Sequence, residues 1–492
     1  MINDIDRASK RIRESLLEVA DTGLFRPLHG DVQRVNVQII ATTNRTPEEF
    51  EEIREDLASR LSEIEIIMPS LAVRRFDIPL LVRFFLKKFD SDHIRLLPET
   101  WHQLLNTDWR DNVRGIEQVV RMDIVAQKVQ TVTPQHLLSR RKAPLLDDPQ
   151  VDLIDASEYF AGWIDLSVPI SVFVTDFLYP PYMRPQEDWA QFSMRAFLCY
   201  RDGLERLGRM PSVLQYASVG CGVGLDAIAA ERILKARSFV LSDLWMDVVA
   251  VARENLLLNS HDTQLEDICR IKSDLFEGFD KTVSADVIYE NLPNIPVTFS
   301  DKKISTGRKT GTYLLENSAS QDGSYIDQWL LSSHSRFLLG AKRLLSPGGI
   351  VICSIGARVP WNLVEKMFSD AGYEAELLVF DLKEQEEATE VVAAYARVES
   401  EESVRFRFFR LAEARNLLDK LCLEIGSDYQ RISGFAGQRD VTEIRLAGVE
   451  LSAQEALQEV RKNIGVGHMV YVVKGVPVLP GATQNEAVES RD

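Results

Sequence analysis

The run Val213-Leu214-Gln215-Tyr216-Ala217-Ser218-Val219-Gly220-Cys221-Gly222-Val223-Gly224-Leu225-Asp226 limits what this chain can fold into more than any other stretch. Apolar residues lead into glycines at alternate positions, and Ala227-Ile228-Ala229-Ala230 then opens a helical pattern. This reads as strand, tight turn and helix. Glycine lets the backbone bend sharply or a ligand approach closely, because no Cβ stands in the way. The first N–H groups of the helix have no partner within it and suit a polar or anionic ligand. A purely structural glycine turn satisfies the same pattern, so the loop alone assigns no site.

A second apolar run, Ser238-Phe239-Val240-Leu241-Ser242, ends in Asp243, about 20 residues beyond the glycines, the position of a ribose-binding carboxylate in α/β nucleotide folds. The glycines are spaced G-x-G-x-G rather than G-x-G-x-x-G. Ser273-Asp274-Leu275-Phe276, Ala285-Asp286-Val287-Ile288-Tyr289-Glu290-Asn291-Leu292-Pro293 and Leu344-Leu345-Ser346-Pro347-Gly348-Gly349-Ile350 follow in order. Together these runs resemble the class I S-adenosylmethionine (SAM) methyltransferases. The resemblance implies an α/β fold with a Rossmann-like seven-stranded sheet and SAM as cofactor. By it, Gly220, Gly222 and Gly224 hold the methionine end and Asp243 takes the ribose hydroxyls. Asp274 accepts from the adenine amino group, with Leu275 and Phe276 near the ring. A helix cap or turn is the alternative role for Asp274.

Asn291-Leu292-Pro293-Asn294-Ile295-Pro296 resembles the N-P-P-Y loop of amino-group methyltransferases, in particular those that modify glutamine side chains of peptide release factors. A later Asp322-Gly323 and the Pro347-Gly348-Gly349 turn extend the match. The resemblance makes Asn291 and Pro293 the catalytic pair of the loop. The Asn291 side chain and the next backbone carbonyl would accept hydrogen bonds from the target NH₂ and turn its lone pair toward the methyl group. The chain departs from the motif at Leu292, in place of the first proline, and at Asn294, in place of the aromatic. Tyr289 or Phe299 is then the candidate stacking residue. An ordinary strand-end turn is the other reading, and the acceptor, a protein side chain or a small-molecule nitrogen, stays open. Tyr179-Pro180-Pro181-Tyr182 has a similar look but precedes the glycine loop and lacks a leading Asn.

The N-terminal part carries a different series. Residues 4–24 read as a helix stopped by Gly23, and residues 35–41 as a strand ending at Thr42-Thr43-Asn44-Arg45. Arg54-Glu55-Asp56-Leu57-Ala58-Ser59-Arg60, Arg74-Arg75-Phe76-Asp77-Ile78-Pro79 and Trp109-Arg110-Asp111-Asn112-Val113-Arg114-Gly115 follow. Over about residues 1–140 this resembles the AAA+ domain of bacterial enhancer-binding activators of the nitrogen-type sigma factor. The resemblance implies a partial α/β core with a helical lid. By it, Asn44 is a γ-phosphate sensor, Arg54 and Arg60 are arginine fingers, and Arg114 is the second sensor. No G-x-x-x-x-G-K-[ST] phosphate loop occurs, and Asn3-Asp4 stand where the family has its Asp-Glu pair. ATP hydrolysis is therefore not expected from this chain alone. A degenerate domain kept for protein contacts or self-association, a start placed too far downstream, and an independent small fold are the competing readings.

The expected divisions are residues 1–140, a linker over 141–167, the methyltransferase segment 168–400, an α/β extension over 401–480, and a disordered tail 481–492. A net charge of −17 disfavours a general nucleic-acid binder. No apolar run reaches the ~20 residues of a membrane span, and the N-terminus lacks signal-peptide character, so a cytoplasmic location is expected. The five cysteines and seven histidines show no metal-ligand spacing, so no metal is expected. The first functional reading is a SAM-dependent N-methyltransferase. The rival is a sigma-factor-dependent transcription regulator whose methyltransferase-like segment senses SAM without transferring a methyl group.

Overall fold

The apolar run before the glycines is a strand because both its faces are covered. In the computed structural model β1 (Leu214–Val219) buries every residue except Gln215, as befits the middle of a parallel sheet. The structure describes residues 2–27, 30–45, 49, 64–75, 77–91, 93–137, 151–175, 188–209, 214–260, 267–280, 282–296, 313–314, 324–426 and 431–478. The chain forms two units, Met1–Ser70 and Leu71–Asp492.

The larger unit is built on a nine-stranded sheet. Its further strands are β2 (Ala236–Asp243), β3 (Asp267–Lys272), β4 (Ala285–Glu290), β5 (Leu345–Gly356), β6 (Tyr373–Glu384), β7 (Phe408–Arg410), β8 (Glu450–Leu451) and β9 (Val466–Pro477). The long strands lie in the order β3-β2-β1-β4-β5-β9-β6. All pairs from β3 to β5 are parallel, and β9 runs antiparallel between β5 and β6. These seven match the expected count; the short β7 and β8 extend the sheet beside the start of β9. The segment expected as an extension over 401–480 therefore supplies a central strand.

Register decides where the loops meet. Glu290 of β4 lies level with Val219 of β1 and Cys353 of β5. Glu384, the last residue of β6, pairs with Gly467 near the start of β9. The loops after β1, β2, β4, β5 and β6, and the entry to β9, thus share one edge, the carboxyl edge where open α/β sheets bind ligands. Two apolar layers cover the faces, one containing Phe197, Tyr216 and Phe239, the other Phe276, Phe337, Phe368 and Tyr395.

A third apolar cluster belongs to residues 71–137. Helix Asp77–Lys88 buries Ile78, Val82, Phe85 and Leu86. Trp109 is buried, and its indole N–H donates to the Leu104 carbonyl at 2.8 Å. The same cluster takes in Leu153 and Phe173, and Val248, Val251 and Leu258 of helix Met246–Asn259. The structure differs here from the expected linker over 141–167. Val151–Asp155 pairs antiparallel with Ser171–Thr175, and Tyr159 and Phe160 are buried. Phe160 lies in the layer with Tyr216, so apolar residues past Pro149 have a core to enter.

In the smaller unit, helix Lys10–Thr22 ends at Gly23, whose φ of 67° is the left-handed conformation that glycine favours. Ile5 is its buried apolar centre, with Ile2, Ala8, Leu16, Leu17 and Ala41 around it. The strand expected over 35–41 does not form. Only Gln33–Arg34 pairs, with Leu24–Phe25, and Ala41 bridges to Ile2. Among the described residues no neighbouring strand offers 35–40 a ladder, and Val37 and Ile40 are exposed.

Candidate functional site

Three left-handed glycines shape the loop after β1, and each serves differently. Gly220, Gly222 and Gly224 have φ of 73°, 48° and 82°. A Cβ on Gly224 would meet the Ala252 backbone at 3.1 Å, so this glycine lets the following helix pack on helix Met246–Asn259. A Cβ on Gly220 would meet Leu292 Cδ2 at 3.2 Å, so the loops after β1 and β4 touch there. A Cβ on Gly222 would meet nothing within 4 Å; space lies open above it. Asn255 steadies the turn, donating to the Val223 carbonyl at 2.9 Å while its amide pairs with the Phe173 backbone.

Asp243 ends β2 beside this turn. Its carboxylate accepts from the Gly222 N–H at 3.4 Å and the Trp245 N–H at 3.3 Å. Desolvation pushes its pKa above the ordinary carboxylate value, opposed by those backbone donors. Leu244, Trp245 and Met246 follow, all exposed, with Trp245 at 52%. A half-buried carboxylate, an open backbone turn and an exposed indole fit a nucleoside: hydroxyls for the acid, a flat ring for the indole. The indole was missed in the sequence, where Trp245 carried no spacing signal.

The third expected contact follows β3 at the same edge, where the Ser273 N–H donates to the Asp243 carbonyl at 2.9 Å. Asp274 is exposed and accepts from Arg336 at 3.2 Å. Leu275 adopts a φ of 50°. Phe276 is 4% exposed and lies 5.2 and 5.4 Å from the rings of Phe279 and Phe337, with bare Gly340 against it. Its apolar character is spent on the core rather than on an adenine ring.

On the other half of the edge, Asn291 follows β4 and is half-buried, and no described residue hydrogen-bonds its amide. Pro293, also half-buried, lies in the same turn. Glu290 anchors that turn. Its carboxylate accepts the Leu292 N–H at 2.6 Å and meets His334 Nδ1 at 2.7 Å, with both side chains wholly buried. Tyr289, a candidate stacking residue, is buried instead, 3.1 Å from the Ser354 hydroxyl and edge-on to Phe197. Phe299 and Asp322-Gly323 lie outside the described residues, as does Tyr179-Pro180-Pro181-Tyr182. Asn294 is buried and turned inward. Tyr395 donates to its carbonyl at 2.8 Å, and Arg358 Nη1 lies 3.4 Å from its Oδ1. This accounts for Asn at the motif's aromatic position: the side chain ties the loop to the interior.

In the helical segment that shares a cluster with helix Met246–Asn259, helix Asn112–Val119 buries Gly115, Ile116 and Val119, and the Asn112 side chain accepts the Leu71 N–H at 2.8 Å. Residues 72–149 match the AAA+ ATPase lid domain. The chain is 27% identical over 222 residues to the anaerobic nitric oxide reductase transcription regulator NorR of Aliivibrio fischeri, covering 42% of this chain and 43% of that one. It is 29% identical over 174 residues to the Nif-specific regulatory protein of Klebsiella pneumoniae, covering 34% of this chain and 32% of that one. The chain thus spans less than half the length of these relatives. Among solved structures, it resembles ribosomal protein L11 methylase from Lactobacillus delbrueckii subsp. bulgaricus, with 19% identity, a TM-score of 0.25, and coverage of 40% of this chain and 71% of that one. At that score the reading of the sheet rests on its own strand order and glycine loop.

The lid therefore belongs to the larger unit, against helix Met246–Asn259, while Asn44 lies in the smaller one. Asn44 and Arg114 are both exposed. Arg54 and Arg60 lie outside the described residues. Among the described residues, no helix is long and apolar enough to cross a membrane.

Proposed function

We propose that the sheet unit binds SAM and transfers its methyl group to a nitrogen acceptor. The observation that carries this reading is the meeting of two loops. Open Gly222 and half-buried Asp243 form one side, and Leu292 brings the Asn291 turn against Gly220. When bound, SAM supplies an electrophilic methyl group on a sulfonium, so the protein's share is binding, alignment and exclusion of water. The Asp243 carboxylate would take the ribose hydroxyls, Trp245 would cover the adenine, and backbone around Gly222 would meet the amino-acid end. The Asn291 amide oxygen accepts from the acceptor N–H and holds the nitrogen lone pair in line. With SAM so held, the chemistry it would supply is methyl transfer to the aligned nitrogen, with the C–S electron pair leaving on sulfur and the nitrogen's proton passing to water. Transfer of label from methyl-labelled SAM into cell extract tests the reading; no incorporation by a protein that binds SAM would sink it.

A second reading is favoured by one contact. The lid shares its apolar cluster with helix Met246–Asn259, which begins three residues after Asp243. Occupancy of the SAM site would then bear on the lid, and the chain would act as a SAM-responsive regulator. In either case ATP hydrolysis by this chain alone is not expected, and measurable turnover abolished by Arg114→Ala would overturn that.

A further inference from the structure

Arg358 lies just past the end of β5, at the acceptor half of the carboxyl edge, and is 3% exposed. Its partners come from four directions and all are neutral. Nη2 donates to Gln385 Oε1 at 2.7 Å and approaches His468 Nε2 at 2.7 Å. Nη1 reaches Asn294 Oδ1 and the Tyr395 hydroxyl, each at 3.4 Å. His468 Nδ1 lies 2.8 Å from the Met469 carbonyl, which fixes the ring proton there and leaves Nε2 as an acceptor. Burial and the neighbouring guanidinium hold the His468 pKa well below its ordinary value, so the ring adds no charge. The nearby buried cation, Lys383, has Glu386 as its ion partner.

Among the described residues, no carboxylate pairs with Arg358, and its Nε–H is buried without a hydrogen-bond partner. An arginine so placed keeps its charge, because the guanidinium does not deprotonate in proteins. The Tyr395 ring lies 5.0 Å from the guanidinium and Glu386 acts on it from beside Lys383, but two buried cations then share one carboxylate, and an unmet buried donor adds to the cost. Arg358 also lies on the acceptor loop's side of the sheet, joined to it through Asn294. A carboxylate would meet both needs at once.

We propose that Arg358 binds the carboxylate of a small methyl acceptor, so that the substrate class is carboxylate-bearing amines or amides. This deepens the methyltransferase reading and rests on it. Enclosure of the guanidinium favours a small molecule over a side chain on a folded protein. The unmatched donor is the Nε–H alone, set in the guanidinium plane by the partners of both Nη atoms, a position a lysine ammonium does not reproduce, so lysine is a poor replacement.

The test begins with succinate and its neutral counterpart succinamide, titrated into the full chain at constant ionic strength while the melting temperature is followed. Succinate should give a saturable rise that succinamide does not. Arg358→Gln should remove the succinate-dependent shift, and Arg358→Lys should weaken it at least tenfold. Equal shifts with the two compounds, or a shift that survives Arg358→Gln, would overturn the proposal. If Arg358→Gln does not fold, the two probes on the wild-type chain and on Arg358→Lys still decide. Methyl transfer to free amino acids against their amides supplies the second arm. Transfer to both alike defeats the carboxylate assignment and leaves the methyltransferase standing. Absence of SAM binding in calorimetry, with the succinate shift intact, defeats the methyltransferase reading and leaves the anion site.

Discussion

The two halves of the carboxyl edge handle polar groups in opposite ways. At the half proposed for the cofactor, Asp243 and Trp245 stay within reach of solvent, and backbone N–H groups hold the Asp243 carboxylate. At the acceptor half, Glu290, His334, Asn294, Arg358 and His468 are buried and bonded to each other or to backbone. A cofactor with known polar ends can be met by a preformed, open turn. An acceptor must be aligned to within a fraction of an ångström, and that calls for side chains fixed from behind. Among the described residues, the half-buried Asn291 amide has no hydrogen-bond partner, and neither do the buried Arg358 Nε and His334 Nε2.

The largest effect that would sharpen this contrast is at Asn291. Asn291→Ala should lower transfer by at least about a hundredfold while SAM affinity changes less than twofold, because the lost contact is to the reacting nitrogen. Parallel loss of both in calorimetry and rate measurements would erase the division. Asp243→Ala should do the reverse at the other half, weakening SAM by about ten- to a hundredfold through loss of a charged hydrogen-bond acceptor. Unchanged affinity would place the ribose elsewhere. Trp245→Ala should cost roughly tenfold in SAM affinity, the scale of one stacking contact; no change would remove the indole from the site.

A smaller effect lies in pH. The Asp243 pKa is raised above its ordinary value by burial, and on the proposed reading it is the ionised form that would hold the ribose. SAM affinity should therefore fall as pH drops through that raised value, earlier on acidification than for an exposed Asp. Affinity that stays flat down to the ordinary carboxylate range breaks this account. A further pH effect is read through stability rather than affinity. Glu254, on helix Met246–Asn259, is pushed up to about 7 by burial. A raised folded-state value means stability present below the ordinary carboxylate range and lost as pH rises through about 7. The loss is on the order of 3 kcal/mol at most. Glu254→Gln should flatten the fall in melting temperature over that window; an unchanged slope assigns it to other groups.

Much of this was legible because it is periodic or local. Apolar runs gave β1, β2 and β4, and the alternate glycines gave the turn, since short-range sterics govern both. Phe276 was misplaced because one apolar residue after an acid suits a ring contact and a core equally. Arg358 and His468 carry no local signal: 110 residues separate them, and β9 alone brings them together. The strand expected over 35–41 failed for a related reason. Its pattern is strand-like, but pairing is supplied by neighbours rather than by the strand itself.

The lid's shared apolar cluster changes what counts as a part of this chain. Motifs divide it near residue 140, yet a cut there would strip Val248, Val251 and Leu258 of their cover and leave Leu86 and Trp109 without one wall. Proteolysis aimed at that boundary should not release two stable pieces, and residues 71–137 should melt together with the sheet in a single cooperative transition. Within the larger unit, the boundary that the motifs draw is therefore an interior wall rather than a hinge.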